Sequence, residues 1–98
     1  MNELNQMVVL YAKSGREATL RANLAALIAP SRIESGNLRY ELYGDSADSR
    51  RFIFFERWAS AEAQQQHHNH GQHIRHFHAN GEADIERREI YYVIEPIA

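Results

Sequence analysis

The chain has 98 residues, of which 44% are hydrophobic, and a formal net charge of −2. This length predicts a single domain over residues 1–98, small enough that a second copy would add stability. The weak negative charge excludes the basic field that nucleic-acid binding needs, and the absence of cysteine excludes disulfides, thiolate nucleophiles and iron–sulfur clusters. No apolar run approaches the ~20 residues that span a bilayer, and the first residues lack the order of a signal peptide. We therefore expect no membrane partner and a cytoplasmic location.

The N-terminal part of the chain predicts a strand followed by a helix. Residues 7–12 form a short apolar run with two adjacent valines, which is typical of a buried strand. Ser14 and Glu17 match a capping box, so we expect a helix that begins at Gly15 with the Ser14 hydroxyl as its cap. One apolar stripe follows at helical spacing, formed by Leu20, Leu24, Leu27 and Ile28. This stripe should pack against a sheet.

The middle of the chain predicts two strands joined by a hairpin. Pro30 should kink or restart the first helix before residues 35–36 end it. Residues 38–43 alternate and predict the second strand, and the polar residues 44–49 predict the loop. Residues 51–58 predict the third strand, in which four side chains share one face: Phe52, Phe54, Glu56 and Trp58.

The C-terminal part of the chain predicts two helical segments and a last strand. Ser60 is a suitable N-cap for a helix over residues 61–69, which Gly71 should interrupt. A further helix is expected over residues 72–80 and the last strand over residues 89–94.

The element order β-α-β-β-α-α-β predicts an α+β fold, a ferredoxin-like four-stranded antiparallel sheet with helices on one face. The other face should then expose apolar side chains, which we assign to Val8, Leu10, Tyr43, Ile53, Phe55, Tyr91 and Val93. Two copies that pack sheet against sheet would cover them. We therefore predict a homodimer that closes a dimeric α+β barrel.

The most informative stretch for function is the aromatic third strand, which leads directly into a histidine-rich helix. It brings the Glu56 carboxylate, the Trp58 indole and several imidazoles close together, and histidine titrates near neutrality. This combination predicts a site where protons move. The structural alternative for Glu56 is a salt bridge to Arg32 or a helix cap, because a buried carboxylate without a partner is costly. The alternative for Trp58 is a plain core position.

The histidines also suggest a metal site at first sight. Four of them recur every three residues: His67, His70, His73 and His76. A three-residue step drifts by ~60° around a helix, so the four cannot converge, and Gly71 should break the helix between them. No Asp or Glu at ligand spacing completes a set of two histidines and one carboxylate. The sequence therefore predicts no native metal site.

Three segments of the chain resemble one family. Residues 30–42, residues 51–60, and His67 with residues 73–74 are similar to the antibiotic biosynthesis monooxygenase family. The resemblance covers nearly the whole chain and implies the dimeric α+β barrel reached above. The best-described members oxygenate activated phenols, anthrones or hydroquinones with O2, without flavin, haem or metal. The resemblance thus implies a monooxygenase that needs no cofactor and acts on a small aromatic or quinol-type substrate.

The resemblance also implies roles for single residues. His67 stands at the position of the family's histidine beyond Trp58 and would be the general base that deprotonates the substrate. The segment between His67 and His73 is one residue longer than is usual in the family, so His68 would take this role instead of His67 if the gap falls elsewhere. Trp58 would wall the pocket and donate its indole N–H to bound oxygen. The residues implied in substrate binding are Tyr40, Asn37, Phe54, Glu56, Arg32 and His73.

Two alternative functions remain open. One is a non-catalytic dimeric barrel that binds a small apolar ligand. The other is a non-oxidative, isomerase-like enzyme that acts on a small phosphorylated metabolite, although Arg32, Arg39 and Arg75 are dispersed along the chain.

Overall fold

A computed structural model describes residues 2–98 and shows four antiparallel strands in one sheet. The strands are β1 (Leu4–Ala12), β2 (Asn37–Asp45), β3 (Asp48–Trp58) and β4 (Ile85–Ile94), in the order β2-β3-β1-β4. The helices are α1 (Glu17–Ala25), α2 (Ile28–Arg32), α3 (Ala61–His70) and α4 (Gln72–Asn80), and a 3-10 turn spans Glu82–Asp84. The predicted ferredoxin-like α+β fold is confirmed. Within the described residues, no helix is both long enough and apolar enough to cross a bilayer.

The predicted inner face of β3 is confirmed. Phe52, Phe54, Glu56 and Trp58 are all buried beneath the helices. β1 lies between β3 and β4, and its register pairs Gln6 with Glu56 and Val8 with Phe54. Directly paired residues point to the same face of a sheet, so alternate residues of β1 join this buried layer. The helices contribute their own apolar side chains to the same core, namely Leu20, Leu24, Leu27, Ile74 and Phe77.

The predicted capping box at the start of α1 is wrong. The helix begins at Glu17, its N-cap is Arg16, and no side chain caps it. The chain turns at Gly15, which has a φ of 80°, a left-handed conformation that suits glycine. The Arg16 side chain instead donates from Nε to Asp84 Oδ1 at 2.8 Å, which ties the start of the helix to the 3-10 turn. The start of α1 is therefore tied to the rest of the fold by a tertiary contact, and the Ser14 side chain does not cap the helix.

The other predicted helix signals are confirmed. The first helical stretch ends at Ala25 and restarts as α2, with Pro30 in its first turn, where a missing N–H costs little. The Ser60 hydroxyl caps α3 by accepting a hydrogen bond from the backbone N–H of Ala63 at 3.1 Å. Gly71 separates α3 from α4 in an extended conformation.

The open face of the sheet is only partly as predicted. Tyr43, Ile53 and Phe55 lie on it, as predicted. Val8 and Leu10 instead point towards the helices, because they pair with the buried Phe54 and Phe52 of β3. Tyr91 and Val93 share that orientation, because they pair with Val8 and Gln6. The residues that take their places on the open face are Met7, Val9, Ile90 and Tyr92. An apolar run without alternation does not reveal which of its residues face which side.

Candidate functional site

A cavity of about 820 Å³ lies between the helices and the inner face of the sheet. Its apolar wall consists of Val8, Leu10, Leu24, Leu27, Phe54, Ile74, Phe77 and Ile85. Its polar groups come from three strands, two helices and the 3-10 turn: Gln6, Glu56, Arg88, Tyr91, Gln64, His68, His78 and Glu82. An apolar cleft of this size with a few convergent polar groups is typical of small-molecule sites, which measure about 300–1,000 Å³.

Glu56 is the buried carboxyl group of this cavity. Its Oε1 accepts hydrogen bonds from Trp58 Nε1 and Gln6 Nε2, each at 3.0 Å. Tyr91 in turn donates from its hydroxyl to Gln6 Oε1 at 2.9 Å, so a polar chain crosses from β3 through β1 to β4. Burial raises the pKa of Glu56, and the two neutral donors oppose that rise without cancelling it. The alternative of a salt bridge from Arg32 to Glu56 is not what the structure shows, because Arg32 Nε donates to the Tyr40 carbonyl at 3.0 Å.

His67 lies outside the cavity wall, in the core behind it. Its side chain is 5% exposed, and its ring centroid lies 4.7 Å from that of Trp58 and 5.3 Å from that of Tyr40. Its Nδ1 donates to Glu34 Oε1 at 2.5 Å. Burial lowers the pKa of His67, while the Glu34 carboxylate opposes the shift. His67 is therefore a buried, hydrogen-bonded imidazole, favoured as neutral by desolvation.

His68, unlike His67, lines the cavity. One residue along a helix rotates the side chain by ~100°, which turns His68 from the core towards the cavity. His68 lines the cavity together with His78, and their ring centroids are 5.6 Å apart. The geometry therefore favours His68 over His67 as a base that could reach a ligand.

The remaining residues implied by the sequence fall into two groups. Phe54 and Glu56 line the cavity. Tyr40 is buried beside it, with its ring centroid 5.4 Å from that of Phe54 and the two rings tilted by 50°, and burial raises the pKa of its hydroxyl. The Asn37 amide donates to the Arg39 carbonyl at 3.2 Å and so serves the local backbone.

The indole N–H that was expected to donate to a bound oxygen already has an acceptor within the protein. The Trp58 indole N–H is already directed at Glu56, and the ring is fully buried. Trp58 therefore acts on the cavity through Glu56, whose carboxyl it holds in place.

No Asp or Glu stands at ligand spacing from the histidines in the sequence, but the fold brings a distant carboxylate to two of them. Glu34, which lies between α2 and β2, reaches both His67 and His73, and its Oε1 is 3.2 Å from His73 Nε2. One ligand atom from each of the three residues lies within 4.8 Å of the others. Glu34 is 33 residues before His67, so spacing within the helix could not reveal it.

Sequence reasoning missed several polar groups of the cavity. Gln6 fell outside the predicted first strand, which begins three residues earlier than expected, at Leu4. Tyr91 was assigned to the wrong face, and Arg88 lies in the part of β4 that was not predicted as strand. The sequence did hold one signal for Gln6. The polar pair Asn5-Gln6 stands directly before the apolar run, and the buried carboxyl predicted at Glu56 needs a hydrogen-bond partner of this kind.

One family model matches most of the chain. Residues 4–80 match the family described as antibiotic biosynthesis monooxygenase. A comparison with curated proteins gives no significant match. Among solved structures, PA3566 from Pseudomonas aeruginosa is 29% identical, with a TM-score of 0.84 over 100% of this chain and 97% of that one. Rv0793 from Mycobacterium tuberculosis is 25% identical, with a TM-score of 0.86 over 99% and 97%.

A third structure extends the likeness in fold. A protein named antibiotic biosynthesis monooxygenase is 19% identical, with a TM-score of 0.87 over 97% of this chain and 99% of that one. At this identity the likeness concerns the backbone fold alone.

Proposed function

Because the chain belongs to the antibiotic biosynthesis monooxygenase family, we propose that it is a monooxygenase that oxidises a small aromatic, quinol-type substrate with O2 and without a cofactor. The observation that carries the proposal is the 820 Å³ cavity, in which the His68 imidazole and the buried Glu56 carboxyl lie beside a wall of apolar side chains. The family match supports monooxygenase chemistry at the level of the family. The substrate class and the roles of residues are our inference from the cavity.

The cavity suits an aromatic substrate. Phe54 and Phe77 offer ring faces and edges to a planar ligand, and aliphatic side chains close the rest of the apolar wall. The polar groups lie on the strands, on α3 and α4 and on the 3-10 turn, so a phenolic oxygen could meet donors there while the ring packs against the apolar wall.

The proposed reaction needs a base before it needs oxygen. His68 accepts the proton of the phenol, and the electron-rich phenolate then passes one electron to O2. The resulting radical pair combines into a peroxide on the ring carbon. Loss of water from this peroxide leaves a quinone, so that one oxygen atom of O2 enters the product and the other leaves as water. The substrate supplies all four electrons, and no external reductant is required.

Glu56 completes the proposed site as a proton donor. Its raised pKa and its contact with the cavity suit a carboxyl group that delivers a proton to the peroxide as water leaves. Trp58 and Gln6 hold it in place through their hydrogen bonds to Oε1. Positioned acid–base groups of this kind contribute on the order of 10²–10⁴-fold to a rate.

Oxygen uptake tests this proposal. Metal-stripped protein is supplied with a panel of hydroquinones, naphthols and anthrones, and uptake is compared with autoxidation blanks. We expect acceleration by the protein, and a loss of ~10²-fold or more in His68→Asn. His70→Asn is the matched control, because His70 is an exposed histidine of the same helix outside the cavity wall. Equal rates in the two variants would contradict the role of His68.

The same experiment separates the alternative of a non-catalytic binding protein. If a panel compound binds in the cavity, as shown by quenching of Trp58 fluorescence, but uptake never exceeds the blank, the oxygenase proposal fails and ligand binding stands. Trp58 is a suitable reporter because its indole contacts Glu56 at the edge of the cavity.

We also propose that the chain forms a homodimer through the open face of the sheet. That face carries apolar side chains without a helix above them: Met7, Val9, Tyr43, Ile53, Phe55, Ile90 and Tyr92. Tyr43 and Tyr92 are each at least half exposed in the single chain. A second sheet packed on this face would bury them and close the barrel.

A further inference from the structure

A cluster of metal-ligating side chains lies apart from the cavity. Glu34, His67 and His73 come from three different parts of the chain: the α2–β2 connection, α3 and α4. None of the three lines the 820 Å³ cavity. The cluster therefore belongs to a different part of the molecule from the proposed oxygenase site, and its role needs a separate explanation.

The ligand atoms already converge as a metal ion requires. In a tetrahedral site with bonds of about 2.0–2.2 Å, neighbouring ligand atoms are roughly 3.3–3.6 Å apart. Glu34 Oε1 and His73 Nε2 are 3.2 Å apart, close to that separation. Glu34 Oε1 and His67 Nδ1 are 2.5 Å apart, and a proton joins them. A small rotation of the flexible Glu34 side chain would open this second pair and exchange the shared proton for a metal ion.

The surroundings position His73 and leave room for the cluster. The hydroxyl of the fully buried Ser31 is hydrogen-bonded to His73 Nε2 at 2.9 Å, and this contact would be exchanged for the metal ion at the same nitrogen. Gly71 lies between the two histidines, where a Cβ would come within 2.7 Å of the His67 carbonyl oxygen and 3.3 Å of Glu34 Oε2. The absence of a side chain at residue 71 leaves room for the cluster.

The cluster is accessible from one side. His73 lines a second pocket of about 400 Å³ between α1 and α4, whereas His67 is almost fully buried. A buried ligand, a half-buried carboxylate and a histidine at a pocket together give a site that an ion can enter. One open coordination position would face this pocket.

We propose that Glu34, His67 and His73 bind one first-row divalent metal ion, of which Zn²⁺ is the best match. Two imidazoles and one carboxylate are ligands that Zn²⁺ and its neighbours prefer, whereas Ca²⁺ and Mg²⁺ prefer oxygen alone. The ion would join α3 and α4 across their break at Gly71 and fix both to the start of β2.

Binding of Zn²⁺ alone to the metal-stripped protein tests the proposal. We expect one equivalent per chain by calorimetry, and visible bands of four-coordinate Co²⁺ when cobalt replaces zinc. At a free concentration of a hundred times Kd, binding should raise Tm by roughly 10 °C. Glu34→Gln should weaken binding by ~10²-fold or more while keeping a hydrogen-bond acceptor for His67.

Matched variants separate this site from the other histidines of the surface. His73→Asn should lose the bound equivalent, and it remains informative if Glu34→Gln fails to fold, because His73 is half-buried and lies at a pocket. His70→Asn, at an exposed position of the same region, should bind as the parent does. If the parent binds no tighter than Glu34→Gln, or if His70→Asn loses as much affinity as His73→Asn, the binding is adventitious and the proposal is overturned.

Discussion

Two adjacent histidines show how strongly position within the fold changes a side chain. His67 is buried against Trp58 and hydrogen-bonded to Glu34, whereas His68 faces the cavity. The two residues have the same chemistry and differ only by one step around α3. The sequence predicted that one of them is the general base but did not decide between them. The burial of a residue on a short polar helix depends on which other elements pack against it.

Glu56 allows a test at the scale of one residue. Burial raises the pKa of Glu56 above its ordinary value of 4.5. Below that value the carboxyl is protonated in both the folded and the unfolded chain. As pH rises above it, the unfolded carboxyl ionises while the folded one keeps its proton, so the folded state loses stability until its own raised pKa is passed. We expect Glu56→Gln to remove this loss.

Urea denaturation of the parent and of Glu56→Gln at several pH values between about 4 and 8 measures the effect. The free energy of unfolding of the parent should fall relative to that of the variant as pH rises through the window. Glu62→Gln, at an exposed position of α3, is the control and should follow the parent. Parallel profiles for the parent and Glu56→Gln would show that Glu56 has no raised pKa.

At the scale of elements, two serines looked alike in the sequence and behave differently. Ser60 and Ser14 each precede a predicted helix, but only Ser60 accepts a hydrogen bond from the first turn. Ser14 lies directly before the turn at Gly15, and the Arg16 side chain at the start of α1 donates a hydrogen bond to Asp84. A serine before a predicted helix is therefore not by itself enough to show that its hydroxyl caps that helix.

Replacement of each serine by alanine tests this difference. Ser60→Ala should lower the free energy of unfolding by ~1 kcal/mol, because the N–H of Ala63 loses its acceptor. Ser14→Ala should change it by less than ~0.5 kcal/mol, as expected for a surface site without such a contact. Chemical denaturation measures both, and a larger cost at Ser14 than at Ser60 would contradict the assignment of the caps.

At the scale of the whole molecule, the sheet has one face covered by helices and one without a cover. The covered face holds the core and the cavity, and the other face carries Val9, Ile53, Phe55 and their neighbours. A 98-residue chain has a small core, so burial of a second face would contribute substantially to its stability. This is the physical reason for the proposed homodimer.

A charge on the open face should break the dimer. In Ile53→Glu, the twofold symmetry would bring a carboxylate of each copy into an apolar interface, so we expect the dimer Kd to rise by ~10²-fold or more. Ile33→Glu is the matched control, because Ile33 is 86% exposed and lies outside the sheet. Sedimentation over a range of concentrations gives both values, and an unchanged dimer in Ile53→Glu would place the interface elsewhere.

The sequence by itself determined the features that depend on neighbours along the chain. The order of the elements, the inner face of β3, the cap at Ser60 and the break at Gly71 follow from alternation, capping and backbone freedom, which act over a few residues. The resemblance to the family followed from the same local segments and is confirmed.

Only the tertiary structure decided which side chains meet. The pairing of β1 with β3 and β4 set the orientation of Tyr91 and brought Gln6 to Glu56 across a separation of 50 residues. The fold likewise carried Glu34 to His67 and His73. A one-residue shift in register would reverse the face of every side chain in a strand. Such contacts depend on that register, and no pattern within a single segment encodes it.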